Sequence, residues 1–371
     1  MDPSTLRFVV PAAGFALGCV FGAVAHRSGF CTMGAVSDIV LFGDWRRMRL
    51  WVLAMAVAIL GAQALHLMGW VDLDATIYTA PRLVWVSHLV GGALFGVGMT
   101  LASGCGNRNL VRLAAGNLKS LVVLIVLGMT AFATMRGVLA PLRVQWLDAA
   151  AVTLEHRQDL PAFLGEGWRL ALAAGVGAVL LAWCLGNRPF RAAGGLPVAG
   201  LLLGAIVVGG WFVTGYLGFV AEDPDTLESL VVGTRTRRPE SLTFVGPVAD
   251  TLELLLLWTD ASLRVTFGVA VVAGTLAGAH AHARATRTFR WEGFGSVDDL
   301  RNHVAGAGLM GFGGVCAVGC TVGQGLSGVS TLAAGAFLTV AGIVAGCAST
   351  LWWLYSRAEA SALVDTPKVA P

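Results

Sequence analysis

The chain has 371 residues, of which 56% are hydrophobic and 13% charged, whereas a soluble domain carries about 25% charged residues. That balance excludes a water-soluble globule. A net charge of +3 with no block of Lys or Arg also excludes the continuous basic surface that nucleic acid requires.

Crossing about 30 Å of hydrocarbon takes roughly 20 apolar residues. In chain order, such runs fall at 9–27, 47–69, 84–103, 118–139, 167–186, 196–213, 262–282, 303–318 and 333–355, giving nine expected spans. The first lacks the basic start and cleavage site of a signal peptide, and eight more come after it, so it belongs to the mature fold. Trp45, Trp70, Trp85, Trp168, Trp291, Trp352 and Trp353 flank the runs, where an amphipathic ring suits the headgroup layer. Between the runs lie apolar segments too short to cross, at 31–43, 106–116, 216–220 with the adjoining loop, 244–257 and 321–332. We read these as re-entrant or half helices. Irregular backbone at membrane depth needs a protein-lined or wet path to satisfy its N–H and C=O groups. Gly29, Gly104, Gly106, Gly319 and Gly323 stand at their turns, where a missing Cβ allows a sharp bend. Gly14, Gly18 and Gly22, like Gly200 and Gly204, instead have the spacing of helix packing.

An odd number of spans puts the termini on opposite faces. The basic residues Arg46, Arg47, Arg49, Arg108, Arg112, Arg284, Arg287 and Arg290 then favour an external N-terminus and a cytoplasmic C-terminus, with the acids Glu222, Asp223, Asp225 and Glu228 outside. The chain also repeats itself. Gly91–Cys105 matches Gly306–Cys320 at seven of 15 positions with a shift of 215, and Gly14–Gly29 lies over Gly200–Gly215 with a shift of 186. Five spans separate each segment from its copy, so the repeat is expected to be inverted, the plan of many transporters. The expected organisation is one membrane domain over 1–371. It comprises a first half at 9–139, a connecting loop and span at 140–195, an inverted second half at 196–355 with a polar insertion at 221–245, and a tail at 356–371.

Seven cysteines, none in a polar external loop, argue against a disulfide scaffold. Cys19, Cys184 and Cys347 lie inside uninterrupted apolar runs and read as packing residues. Cys31, Cys105 and Cys320 each stand where a span gives way to a short helix, and these three are the candidate substrate-binding residues. Cys316, one helical turn before Cys320, together with Asn107, Asn109 and Gln324, is a candidate for lining the same path. No His or acid accompanies the cysteines at ligand spacing, so neither a metal nor any other cofactor is expected. A neutral thiol is a weak donor, suited to holding an anion at several successive weak sites. Half-helix N-termini after Cys31, Cys105 and Cys320 would add free N–H groups.

The motifs SGFCTMG, ASGCGN and AVGCTVGQG, in this order on this hydropathy frame, resemble those of the YeeE/YedE family of bacterial sulfur-transport membrane proteins. The resemblance covers about Gly14 to Trp353. It implies an all-α, hourglass-like protein of the inner membrane that imports thiosulfate or a related small sulfur anion, handed along Cys31, Cys105 and Cys320. It also implies a small cytoplasmic sulfur-carrier protein as partner. The second-half position matched to Cys31 is Leu217, which breaks the symmetry at the thiol. Two other readings compete. A membrane thiol-disulfide oxidoreductase would want a Cys-X-X-Cys, which is absent, and a non-transporting structural subunit would have no reason to repeat a cysteine at helix breaks.

Overall fold

In a computed structural model the described residues are 3–222 and 229–364. Asp223, Asp225 and Glu228 of the polar loop, and residues 365–371 of the expected tail, lie outside them. The apolar runs all form helices. The first half contributes α1 (Pro3–Ser28), α2 (Thr32–Phe42), α3 (Arg46–Leu67), α4 (Trp85–Leu101), α5 (Gly106–Ala114) and α6 (Leu118–Arg136). The connector holds the short turns α7 (Ala140–Leu142) and α8 (Leu160–Leu164), then α9 (Arg169–Leu185) and the short α10 (Arg188–Ala192). The second half contributes α11 (Gly195–Phe212), α12 (Val245–Leu256), α13 (Phe267–Ala285), α14 (Val297–Cys316) and α15 (Ala334–Val364). The fold is that of an all-α, multi-pass membrane protein. Among the described residues, sheet is confined to two short antiparallel pairs, β1 (Arg82–Leu83) with the distant β2 (Val152–Thr153) and β3 (Phe219–Val220) with β4 (Leu230–Val231).

Among the described residues, seven helical stretches are long and apolar enough to cross a membrane. The other two expected spans are helices as well, α13 and α14, but His280, His282 and Arg284 end one, and Asp298, Asp299, Arg301 and His303 open the other. Of the short segments, 31–43, 106–116 and 244–257 are the half helices α2, α5 and α12. The segment at 216–220 is not a helix: α11 runs out through a wide turn at Val213–Leu217 into the β3–β4 hairpin. The segment at 321–332 is a short helix, as expected, widened into π-helical turns at Gly323–Gly328.

Local chemistry sets the helix ends. Side-chain oxygens of Asn117, Thr266 and Ser296 accept from the backbone N–H groups of Ser120, Val269 and Asp299, capping α6, α13 and α14. Glycines then set the packing. Gly14, Gly18 and Gly22 of α1 lie against Phe267, Val271 and Thr275, so α1 and α13 run parallel with backbones close. Gly200 and Gly204 hold α11 parallel to α3 in the same way, against Leu50 and Ala54, and Gly92 and Gly96 hold α4 parallel to α15, against Thr339 and Ile343. At the centre α4 and α14 are antiparallel. A Cβ on Gly98 would stand 2.5 Å from the carbonyl oxygen of Gly306, and one on Gly306 would stand 2.6 Å from that of Gly98; Gly91 and Gly313 are related in the same reciprocal way.

These directions give the protein two ends, an N-terminal face where α1 starts and a C-terminal face where α15 leaves. α9 stands outside the paired helices and is tied in on the N-terminal face by Arg169, which reaches Glu166 at 2.9 Å, Asp74 at 3.0 Å and Asp159 at 3.1 Å. Burial pushes the Asp159 carboxyl above the usual range, opposed by Arg157 and Arg169.

Candidate functional site

The two cysteine loops share a backbone. Before Cys105, Ser103 has φ +55° and Gly104 φ +155°; before Cys320, Val318 has φ +58° and Gly319 φ +157°. A left-handed serine or valine is uncommon, so its recurrence marks a specific build. A Cβ on Gly104 would lie 2.9 Å from Cγ of Arg108, and one on Gly319 would lie 3.1 Å from Cγ of Gln324, so both glycines are required twice over. Gly29 is also left-handed, at φ +63°. Gly323 is needed because a Cβ there would run into Thr243. Gly106 differs from expectation. It opens α5 in ordinary helical geometry with nothing nearer its missing Cβ than 3.7 Å, so no bend demands it.

Amides brace these loops from the inside. Asn109 Nδ2 donates to the carbonyls of Gly104 at 2.8 Å and Cys105 at 3.2 Å, and Gln324 Nε2 donates to that of Ala317 at 2.7 Å. Their oxygens, with Asn107 Oδ1 and Thr321 Oγ1, are buried without a hydrogen-bond partner. Of the eight buried side-chain atoms in that condition among the described residues, four therefore lie within four residues of Cys105 or Cys320. Unpaired buried polar atoms are costly, and their clustering marks a place built to meet a ligand or water.

The three cysteines form a buried file. Cys320 Sγ is 3.9 Å from Thr243 Oγ1. Thr321, the next residue, lies against the Cys105 thiol, and Cys105 lies against Cys31. All three thiols are buried. Cys31 Sγ accepts from Gly34 N–H and Cys320 Sγ from Gly323 N–H, each at 3.4 Å. With a sulfur lone pair held by the backbone, each S–H proton is left to point elsewhere. Cys316 does not join the file. Its Cβ faces Gly91 in the seam between α4 and α14, because four-residue spacing fixes a shared helix face without saying which neighbour that face meets. Nor is Leu217 the counterpart of Cys31. The residue beside Cys320 is Thr243, just before α12, and the polar insertion carries Leu217 away to the N-terminal face.

A cavity of about 450 Å³ opens above Cys320 on the N-terminal face. Val318, Gly319, Thr243 and Tyr78 form its floor, and Arg136, Arg143, Arg235, Glu240, Asp250 and Glu253 stand round it. Arg235 bonds Glu253 at 2.7 Å and approaches Asp250 at 3.7 Å, Arg136 bonds Glu253 at 3.3 Å, and Arg143 approaches Asp148 at 3.5 Å. The far end of the file, at Cys31, comes under the charge of Arg108 and Arg112. Near it the rings of His26 and His282 meet with Nδ1 atoms 2.9 Å apart. The arrangement is a bowl ringed by arginines and carboxylates, leading to a row of thiols and ending among cations, with donors that a small anion could use.

Comparison with known proteins agrees with that chemistry. Residues 27–349 match the family model described as sulphur transport. The chain belongs to the sulphur-transport family. Its relatives include the thiosulfate transporter TsuA of Escherichia coli (strain K12), 26% identical over 97% of this chain and 99% of that protein. The thiosulfate transporter TsuA of Spirochaeta thermophila is 25% identical over 93% of this chain and 99% of that protein. Both relatives are transporters rather than enzymes, which bears against the oxidoreductase reading. The structure brings together Cys31, Cys105 and Cys320 with the expected lining residues Asn107, Asn109 and Gln324, and adds Thr243, Thr321, Tyr78 and the arginines, which sequence reading did not single out. Arg136 closes a span, Arg143 opens the connector and Arg235 lies in the polar insertion, positions that look like ordinary interface charges until the fold brings them together.

Proposed function

We propose that this protein imports thiosulfate across the bacterial inner membrane, from the N-terminal, external face to the cytoplasm, along Cys320, Cys105 and Cys31. The observation that carries this reading is the continuous buried file of three thiols beneath the arginine-rimmed bowl. Arg136, Arg143 and Arg235 draw the anion in. Thiols then hold its oxygens or terminal sulfur by S–H donation, each site weak enough to release to the next. α2 and α5 begin at Cys31 and Cys105, so backbone N–H groups add partial positive charge without trapping the ion as a fixed cation would. Asn107, Asn109 and Gln324 line or brace the path through their unpaired oxygens, with water or the S–H groups as donors.

The reciprocal glycine contacts of α4 with α14, and the parallel pairs α1 with α13 and α11 with α3, support an inverted duplication of residues 9–139 in 196–355. Arg108, Arg112 and Arg290 at the C-terminal face support a cytoplasmic exit, where a small sulfur-carrier protein would receive the anion. The test is uptake of radiolabelled thiosulfate by proteoliposomes. Cys31→Ala, Cys105→Ala and Cys320→Ala should each lower the initial rate, while Cys316→Ala and Cys19→Ala should not. Equal rates in all five variants would refute the thiol path even if transport is real.

A further inference from the structure

The bowl above Cys320 contains three acids, and two of them are neutralised. Glu253 is bonded by Arg235 and Arg136, and Asp250 faces Arg235. Glu240 is different. Its backbone is pinned on both sides to Thr214, whose hydroxyl donates to the Glu240 carbonyl at 2.6 Å and accepts from the Glu240 N–H at 3.2 Å. Its side chain lies among the lining residues of the bowl, and among the described residues no cation or donor is bonded to its carboxylate. Glu240 stands three residues before Thr243, which touches Cys320, and both Glu240 and Cys320 lie close enough to act on Tyr78.

An unpaired carboxylate at that point would repel any anion on its way to the first thiol. Neutral, the same group becomes an O–H donor on the lining of the bowl. We propose that Glu240 must carry a proton for the anion to occupy the bowl, so that thiosulfate uptake is proton-dependent at its outer step. This rests on the import reading above. The proton comes from external water, passes to the Glu240 carboxylate, and remains there as the anion moves on to Cys320; no bond within the anion is made or broken. The other charged or titratable groups facing Glu240 are Tyr78, Arg136, Arg143, Arg235, Asp250 and Glu253. Among them Asp250 is a like charge, and the three arginines are shared with carboxylates. Burial first, and then Asp250, push the Glu240 carboxyl up to about 8, high enough for it to be largely neutral at pH 7.

The sign is set by linkage. The neutral form binds the anion, so affinity is full below about pH 8 and falls as pH rises through that value. The experiment measures thiosulfate uptake by proteoliposomes of the full chain at sub-saturating concentration, with the membrane potential clamped at zero and pH varied from about 6.5 to 9. The wild-type rate should fall about tenfold between pH 7 and 9. Glu240→Gln should hold the pH 7 rate across the whole range. Because that variant could fold poorly, proton uptake on binding is read separately. Calorimetry of thiosulfate binding to the wild-type protein, in two buffers of different ionisation enthalpy at pH 8, should show about half a proton taken up per anion. A pH profile retained in Glu240→Gln, or binding without proton uptake, overturns the role of Glu240 and leaves import standing. A wild-type protein that neither binds nor transports thiosulfate at any pH overturns import and this inference together.

Discussion

The loop around Cys105 and the loop around Cys320 are built alike and furnished differently. Each has a left-handed residue followed by a strained glycine, a cysteine, and an amide four residues on that reaches back to brace the turn. Cys105 faces the thiol of Cys31, whereas Cys320 faces the hydroxyl of Thr243. The backbone is therefore what both halves need, and the neighbour is what each half adjusts. On the proposed import path, the Thr243 hydroxyl beside Cys320 would offer the outer site a stronger donor to oxygen, while the Cys105–Cys31 pair is soft and polarizable, suited to a sulfur end.

The largest effect should come from removing the shared element. Losing a donor to a charged ligand costs about 1.5–3 kcal/mol, so Cys105→Ala and Cys320→Ala should each cut thiosulfate uptake by roughly tenfold to a hundredfold. Uptake surviving in one but not the other would show that the loops are not equivalent stations. Next comes the seam that holds the loops in register. Gly98→Ala places a methyl against the Gly306 carbonyl, and overpacking of this kind costs about 1–3 kcal/mol. It should lower the thermal midpoint in detergent, whereas Gly308→Ala, whose nearest neighbour would be 4.0 Å away, should not.

A matched pair of loop substitutions, Gly104→Ala and Gly319→Ala, should each destabilise by about 1–2 kcal/mol from the left-handed backbone alone. Unequal losses in denaturant titration would break the claim that the two turns are alike. The smallest effects belong to the neighbours. Cys31→Thr should slow uptake about threefold to tenfold, as expected for exchanging one donor for another. Thr243→Cys, which copies the inner pair at the outer site, should stay within about twofold. If Thr243→Cys proved the more damaging of the two, the hydroxyl would be the more important partner and the comparison would reverse.

Much of the fold is legible in the chain, for physical reasons. Nine apolar runs have to be helices in hydrocarbon, and the repeated Gly-Cys at 104–105 and 319–320 marks strained turns that only a few residues can make. Cys316 misleads because helical spacing is blind to which neighbour a face meets; only the Gly91 contact resolves that. Thr243 is invisible because matching the halves by a constant shift fails across the polar insertion, which replaces the expected counterpart of Cys31 with Leu217. Gly106 misleads in the other direction, a glycine beside a special turn that is itself ordinary. Glu240 carries no sequence signal at all. A lone acid in a charged loop looks like solvated surface until the fold sets it above Cys320.

The glycine seam between α4 and α14 has a mechanical consequence. Where Gly91 meets Gly313 and Gly98 meets Gly306, carbonyl oxygens abut bare Cα atoms with no side chains between them to slide or swing. Sliding one helix along the other would drive the oxygens into Cβ-bearing neighbours such as Leu94 and Leu309, so the seam behaves as an axle keyed to its bearing. Sliding of α4 along α14 is therefore resisted. On the proposed path, conduction then falls to rotation of a few buried thiols and hydroxyls about single bonds, and turnover is set by how long the anion dwells at each sulfur.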